Sequence, residues 1–209
     1  MVSPGRRLRQ LLLTFDDMMN NGQYPIHANV PGNEYGQESV GTFIVSRYYN
    51  DRPTYYALDC EMVLMQNNTR QVGRVSLVDR DGDVVIDEYV RPRGPIKSLL
   101  TQYSGITRAD MQNARYTLGQ IQARLLDIVG EDDILIGHAI HNDLKVLRWK
   151  HPLIVDTADV FWGDGINNQP PSLKKLAAMY FDINIQNGPH DSVEDARVAL
   201  DLVKMEMFN

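Results

Sequence analysis

The chain has 209 residues, a formal net charge of -6 and 43% hydrophobic content. That size and composition fit one globular domain with an appendage, and the acidic balance argues against a basic protein that coats nucleic acid. No apolar run reaches the length of a membrane span, and the single cysteine, Cys60, excludes an internal disulfide and a multi-cysteine zinc site.

Taken in chain order, residues 1–50 read as an N-terminal arm packed on or extending a domain at 51–209. Arg6-Arg7-Leu8-Arg9 precedes only three leucines before Asp16-Asp17. That pattern lacks the apolar stretch of a secretory leader, so an intracellular protein, nuclear or cytoplasmic, is expected. Thr14-x-x-Asp17 has capping-box spacing and predicts a short helix. Residues 42–45 add a candidate strand. A longer apolar run, Tyr55–Met65, reads as a buried strand. Strands at 72–78 and 84–90 follow, joined by the hairpin signal Asp81-Gly82. Thr117-x-x-Gln120 caps a helix with Leu118, Ile121, Leu125 and Ile128 on one face. A buried strand at 133–139, a helix through Leu144 and Leu147, a short strand at 153–155, a helix opened by Pro171-Ser172-Leu173 and a last helix from Ser192 complete the chain. A strand meander followed by alternating helix and strand implies a mixed α/β sheet covered by helices.

The apolar run at 55–65 holds two acids. Asp59 and Glu61 are two apart, so a strand projects both from one face beside Ala57. Burying two unpaired carboxylates costs several kcal/mol each. A divalent cation such as Mg²⁺ or Mn²⁺ would neutralise them, as would a distant arginine; an edge strand would leave them in water. Cys60, between them, fits a small side chain facing the core. Asp143 stands four before Leu147, on the buried stripe of its helix, though a first-turn acid also suits the helix dipole. Asp195 shares a face with Ala199 and Leu202, though Ser192-x-x-Asp195 also has capping-box spacing. His190 precedes that helix in a Gly-Pro loop and is suited to proton transfer near neutrality. Four inward acids and a histidine are the set that two-metal phosphoryl chemistry requires, with ions about 3.5–4 Å apart.

Asp59-x-Glu61, Gly137-His138-x(4)-Asp143 and His190-x(4)-Asp195, in this order, resemble the DEDDh 3′→5′ exonucleases. Ala57-Leu58-Asp59-Cys60-Glu61-Met62-Val63, Ser104-Gly105-Ile106-Thr107 and the stretch from His190 to Arg197 are similar to the Rex-type RNA exonucleases, near interferon-stimulated and plant small-RNA-degrading nucleases. The resemblance implies a ribonuclease-H-like, mixed five-stranded sheet covered by helices. It implies two Mg²⁺ or Mn²⁺ ions on Asp59, Glu61, Asp143 and Asp195, with His190 as the base. It places Met62, Ile106, Ser104, Gly105 and His138 at the substrate and makes Asp156 a structural neighbour of the site. The substrate it implies is single-stranded RNA 3′ ends, trimmed or degraded to nucleoside 5′-monophosphates. A DNA-directed exonuclease and a non-catalytic RNA-binding module are the alternatives, and no membrane role is implied.

Overall fold

Alternation along one long strand divides the core into two layers. The computed structural model of the protein describes residues 3–165 and 169–208. Two helices, α1 (Pro4–Gln10) and α2 (Phe15–Asn21), and a two-residue strand, β1 (Ile44–Val45), precede the central strand β2 (Tyr55–Met65). Strands β3 (Arg70–Val78), β4 (Val84–Arg91) and β5 (Ile96–Ser98) follow, then helices α3 (Thr101–Ser104) and α4 (Arg108–Asn113). The remaining elements are β6 (Tyr116–Thr117), α5 (Leu118–Ile128), β7 (Ile134–Gly137), α6 (His141–Leu147), β8 (Trp149–Lys150), β9 (Ile154–Asp156), α7 (Thr157–Val160), a 3₁₀ turn (Trp162–Asp164), α8 (Leu173–Phe181) and α9 (Ser192–Phe208).

The main sheet runs β6-β4-β3-β2-β7-β9, with β5 also paired to β2. β2, β3 and β4 form an antiparallel meander, whereas β7 joins β2, and β9 joins β7, in parallel. The five strands expected from the sequence are thus its centre, β4-β3-β2-β7-β9. The two additional strands, β5 and β6, are three and two residues long, too short for a periodic signal. β1 does not join this sheet; it pairs with β8 in a separate ribbon.

Leu58, Leu77 and Leu135 point into a cluster with Ile121 and Leu125 of α5 and Leu144 and Leu147 of α6. Their neighbours Ala57, Val78 and Ile136 point the other way, into a cluster with Leu176 of α8 and Ala196, Ala199 and Leu202 of α9. This two-residue alternation buries both faces of the sheet, as strands in a ribonuclease-H-like α/β fold require.

Residues of the N-terminal stretch enter both layers. Leu8 joins the α9 side, and Leu13, Met18, Tyr24, Ile26 and Val30 join the α5–α6 side. Thr14 and Asp17 form a reciprocal capping box that starts α2, as their spacing predicts. Trp149 Nε1 donates to Ser46 Oγ, which is also 3.0 Å from His151 Nδ1, so polar contacts fasten β1 to β8. Among the described residues no helix is long and apolar enough to cross a membrane.

Candidate active site

The site forms where β2 loses its parallel neighbour. β2 pairs with β7 only through Tyr55, Tyr56 and Ala57. Past that point the N–H of Cys60 donates instead to Asp143 Oδ1, at 3.0 Å. Asp143, in the first turn of α6 and 4% exposed, thereby fills a gap in the ladder and stands near Asp59. A bulge follows between Glu61 and Met62: Glu61 pairs with Arg74 but Met62 with Val72, which leaves Gly73 as the extra residue. Glycine lets the bulge pack closely there: a Cβ would lie 2.6 Å from Ile106 Cδ1 and 3.0 Å from Val63 Cγ1, so those side chains would have to shift.

Asp195 enters from the first turn of α9 and is 3% exposed. The capping box suggested by Ser192-x-x-Asp195 does not form. The N–H of Asp195 donates to the Asp191 carbonyl at 2.9 Å, and Ser192 Oγ lies 2.7 Å from Ser76 Oγ. The Asp195 carboxylate accepts from Gln186 Nε2 at 2.8 Å and otherwise faces Glu61 and His190. Glu61, His190 and Asp195 each place a ligand-type atom within 4.8 Å of the others. Glu61 Oε1 and Asp195 Oδ1 are buried without a hydrogen-bond partner among the described residues.

These carboxyls repel one another in a largely buried pocket. Burial, then the neighbouring Asp59 and Asp195, push Glu61 up to about 9. Burial raises Asp195 to about 6, against the lowering effect of the Gln186 hydrogen bond. Asp59 and Asp143 are raised by burial first and by nearby carboxyls second. Burial pushes the His190 imidazole below its usual value, assisted by the Lys174 ammonium. Unpartnered buried oxygens on mutually repelling acids are the donor set of a hard divalent cation, so the residues fit such an ion.

His190 is held from three directions. Its N–H donates to the Tyr103 carbonyl at 2.7 Å. Gly105, at φ +67°, lies so close that a Cβ there would be 3.0 Å from the His190 carbonyl oxygen. On the other side Arg74 grips Asp191 at 3.1 Å and Asp87 at 2.7 Å. The His190 Nδ1 stops 3.9 Å from Asp195 Oδ2, outside hydrogen-bond range.

The remaining residues singled out in the sequence fall around this centre. Ser104 is buried; its hydroxyl donates to the Leu99 carbonyl and accepts from the Ile106 N–H. Ile106 is fully buried with Val63 and Met65. Both side chains shape the 99–106 loop from within. Met62 is half-buried. His138 Nδ1 lies 2.9 Å from Thr157 Oγ1. Asp156 accepts from the N–H groups of Ala139, Ile140 and Ala158 and from the Tyr24 hydroxyl. It is a saturated structural acid that fixes the turn into α6. Sequence reasoning did not single out Gln186, whose loop position carries no signal. Nor did it give the use of Arg74, which ties β3, β4 and the His190 loop together through its guanidinium.

A mixed sheet that gathers three acids and a histidine at one broken ladder, with a fourth acid beside them, defines the class: a nuclease-type site on a ribonuclease-H-like fold. The chain belongs to the exonuclease family RNase_T, whose model matches residues 56–203. It is 46% identical over 155 residues to RNA exonuclease 1 of Saccharomyces cerevisiae, covering 74% of this chain and 28% of that protein. It is 33% identical over 205 residues to small RNA degrading nuclease 3 of Arabidopsis thaliana, covering 96% of this chain and 25% of that protein. The chain therefore spans about a quarter to a third of the length of these relatives. The Neurospora crassa Pan2 catalytic unit superposes with a TM-score of 0.67 at 27% identity, over 82% of this chain and 31% of the Pan2 chain. A Saccharomyces cerevisiae Pan2 module in complex with A7 RNA gives 0.65 at 27% identity, over 78% of this chain and 31% of that one.

Proposed function

We propose that this protein is a metal-dependent 3′→5′ exoribonuclease that removes nucleoside 5′-monophosphates from single-stranded RNA ends. The observation that carries the reading is a buried cluster, Glu61, Asp195 and His190 with ligand-type atoms within 4.8 Å of one another, in which Glu61 Oε1 and Asp195 Oδ1 have no hydrogen-bond partner among the described residues. Asp59, Glu61, Asp143 and Asp195 would hold Mg²⁺ or Mn²⁺, in keeping with two-ion phosphodiester hydrolysis. Bound there, the ions supply positive charge to the scissile phosphate and to the leaving oxygen.

The chain's own residues do the rest. His190, kept neutral at pH 7 by burial and by Lys174, accepts a proton from the attacking water. The Tyr103 carbonyl, Gly105 and Arg74 through Asp191 fix where that imidazole stands. Half-buried Met62 and His138 and the backbone of 104–106 receive the terminal nucleotide, since the Ser104 and Ile106 side chains are turned inward. In this reading residues 51–209 form the nuclease domain and residues 1–50 an arm built into its core. The names of the relatives support RNA over DNA.

The test uses a 5′-labelled oligoribonucleotide with Mn²⁺ or EDTA, beside the DNA of the same sequence. A ladder shortened from the 3′ end, released 5′-monophosphates and silence in EDTA are expected. Asp143→Asn should reduce kcat by about 10³-fold or more while the protein stays folded. RNA left intact in Mn²⁺, or undiminished turnover by Asp143→Asn, overturns the reading; faster loss of the DNA reassigns the substrate.

A further inference from the structure

A second, oppositely charged feature lies on the α5–α6 side of the sheet. A groove of about 1010 Å³ opens between the β2–β3 hairpin, the end of β4, the first turn of α5, the later half of α6 and the stretch around Phe43. Five cations line it, Arg70, Arg91, Arg93, Lys145 and Arg148, and no acid does. In a chain of net charge -6 this is a strong local reversal. All five are exposed. Among the described residues no carboxylate pairs with the four arginines, and Lys145 Nζ donates only to the neutral Gln23 Oε1, at 3.0 Å. The first turn of α5 adds partial positive charge from its dipole.

The groove opens on the face of the sheet opposite Asp59 and Glu61, and the two are connected through α6. α6 serves both: Asp143 in its first turn belongs to the pocket, and Val146, one turn later, lines the groove. Arg70 is paired with Leu64, three residues past Glu61 on β2, so the two lie about 10 Å apart along the strand and on opposite faces, and an RNA reaching both must pass round the end of the β2–β3 hairpin. The volume stands at the upper end of small-ligand cavities and fits a length of polyanion better than an isolated anion. Phe43, half-buried at the rim, has the Lys150 ammonium 5.5 Å from its ring centroid and would leave at most its other face for base stacking, the contact that cationic single-strand grooves use.

We propose that this groove binds the phosphodiester backbone of the RNA some nucleotides 5′ of the terminus, so that long substrates are held at two places. This inference rests on the exonuclease reading above. The test compares wild type with the Arg91→Glu/Arg93→Glu variant on a 20-nucleotide and a 4-nucleotide RNA of the same 3′ sequence. Both side chains are exposed, so the fold is retained, as a thermal melt checks. The variant should raise KM for the 20-mer at least 10-fold, leave kcat unchanged and leave the 4-mer untouched. Fluorescence anisotropy of the 20-mer in EDTA should show the same loss in affinity, with the salt slope shallower by about 0.7 per lost contact. Arg91→Gln/Arg93→Gln should move each quantity in the same direction by less. Equal KM and affinity for the 20-mer in wild type and variant, or an equal loss on both lengths, overturns the proposal. A wild type that shortens neither RNA in Mn²⁺ sinks the exonuclease reading alone, and binding in EDTA still decides the groove.

Discussion

Glu61 shows most directly how this site trades stability for function. It is 7% exposed, has an unpartnered oxygen and faces two further carboxyls. Its folded-state value of about 9 lies above the unfolded carboxylate value, and Asp195, at about 6, is shifted the same way. The sign follows from proton linkage: a raised acid contributes stability below its unfolded value and loses it as pH rises through the folded one. Without metal, these groups therefore weaken the fold progressively between about pH 4 and pH 9. Divalent ions need the ionised carboxylates and should offset that loss. Mn²⁺ is accordingly expected to raise the melting temperature more at pH 8.5 than at pH 6, read by thermal melts across that range. Glu61→Gln, measured in EDTA at pH 8, should be more stable than wild type by about 1–2 kcal/mol, with activity abolished. A variant less stable than wild type under those conditions would show that Glu61 is not a strained acid.

At the scale of elements, the loop and helices over residues 99–113 pack against the His190 backbone, through the Tyr103 carbonyl and Gly105. Leu100, at φ 56°, and Gly105, at φ 67°, both take left-handed backbone, and between them α3 makes a single tight turn. Thr101 Oγ1 donates to the Ile106 carbonyl and Thr107 caps α4 with Asp110, so both ends of the loop are tied. Replacing Gly105 by alanine strains a left-handed residue and pushes a Cβ against the His190 carbonyl. The expected result is a fall in kcat of about tenfold with KM changed less than threefold, measured in steady state on the 4-nucleotide RNA. The acid limb of the pH–rate profile should also shift, since the imidazole's surroundings change; an unaltered limb and kcat would remove this loop from the mechanism.

Across the whole molecule, the N-terminal stretch is part of the same core as the site. Met18 is fully buried and packs with Leu13, Tyr24 and Trp149 among others. Tyr24 donates to Asp156, which in turn fixes the backbone of Ala139 and Ile140 just before α6 and Asp143. Met18→Ala should lower unfolding stability by about 2–4 kcal/mol in urea titrations, the usual loss for a buried methionine. Its KM for the 4-nucleotide RNA should stay at the wild-type value. A loss under 0.5 kcal/mol would make the stretch a loosely attached arm rather than a part of the core.

The sequence carried the chemistry because the governing rules are local. A two-residue period put Asp59 and Glu61 on one face, and a four-residue period put Asp143 and Asp195 on inward stripes. Capping boxes at Thr14, Thr107 and Thr117 are local too and form in the structure, although only the first and last were read. The two-residue β6 and three-residue β5 were not legible, because strands so short exist only through their partners. Nor was the use of Arg74, whose contacts with Asp87 and Asp191 lie 13 and 117 positions away in the chain. Linear order thus determined which side chains are acidic, inward and evenly spaced. Where β2 parts from β7, what fills that gap and which loop braces His190 were decided by tertiary packing alone, since each joins groups that no local hydrogen bond connects.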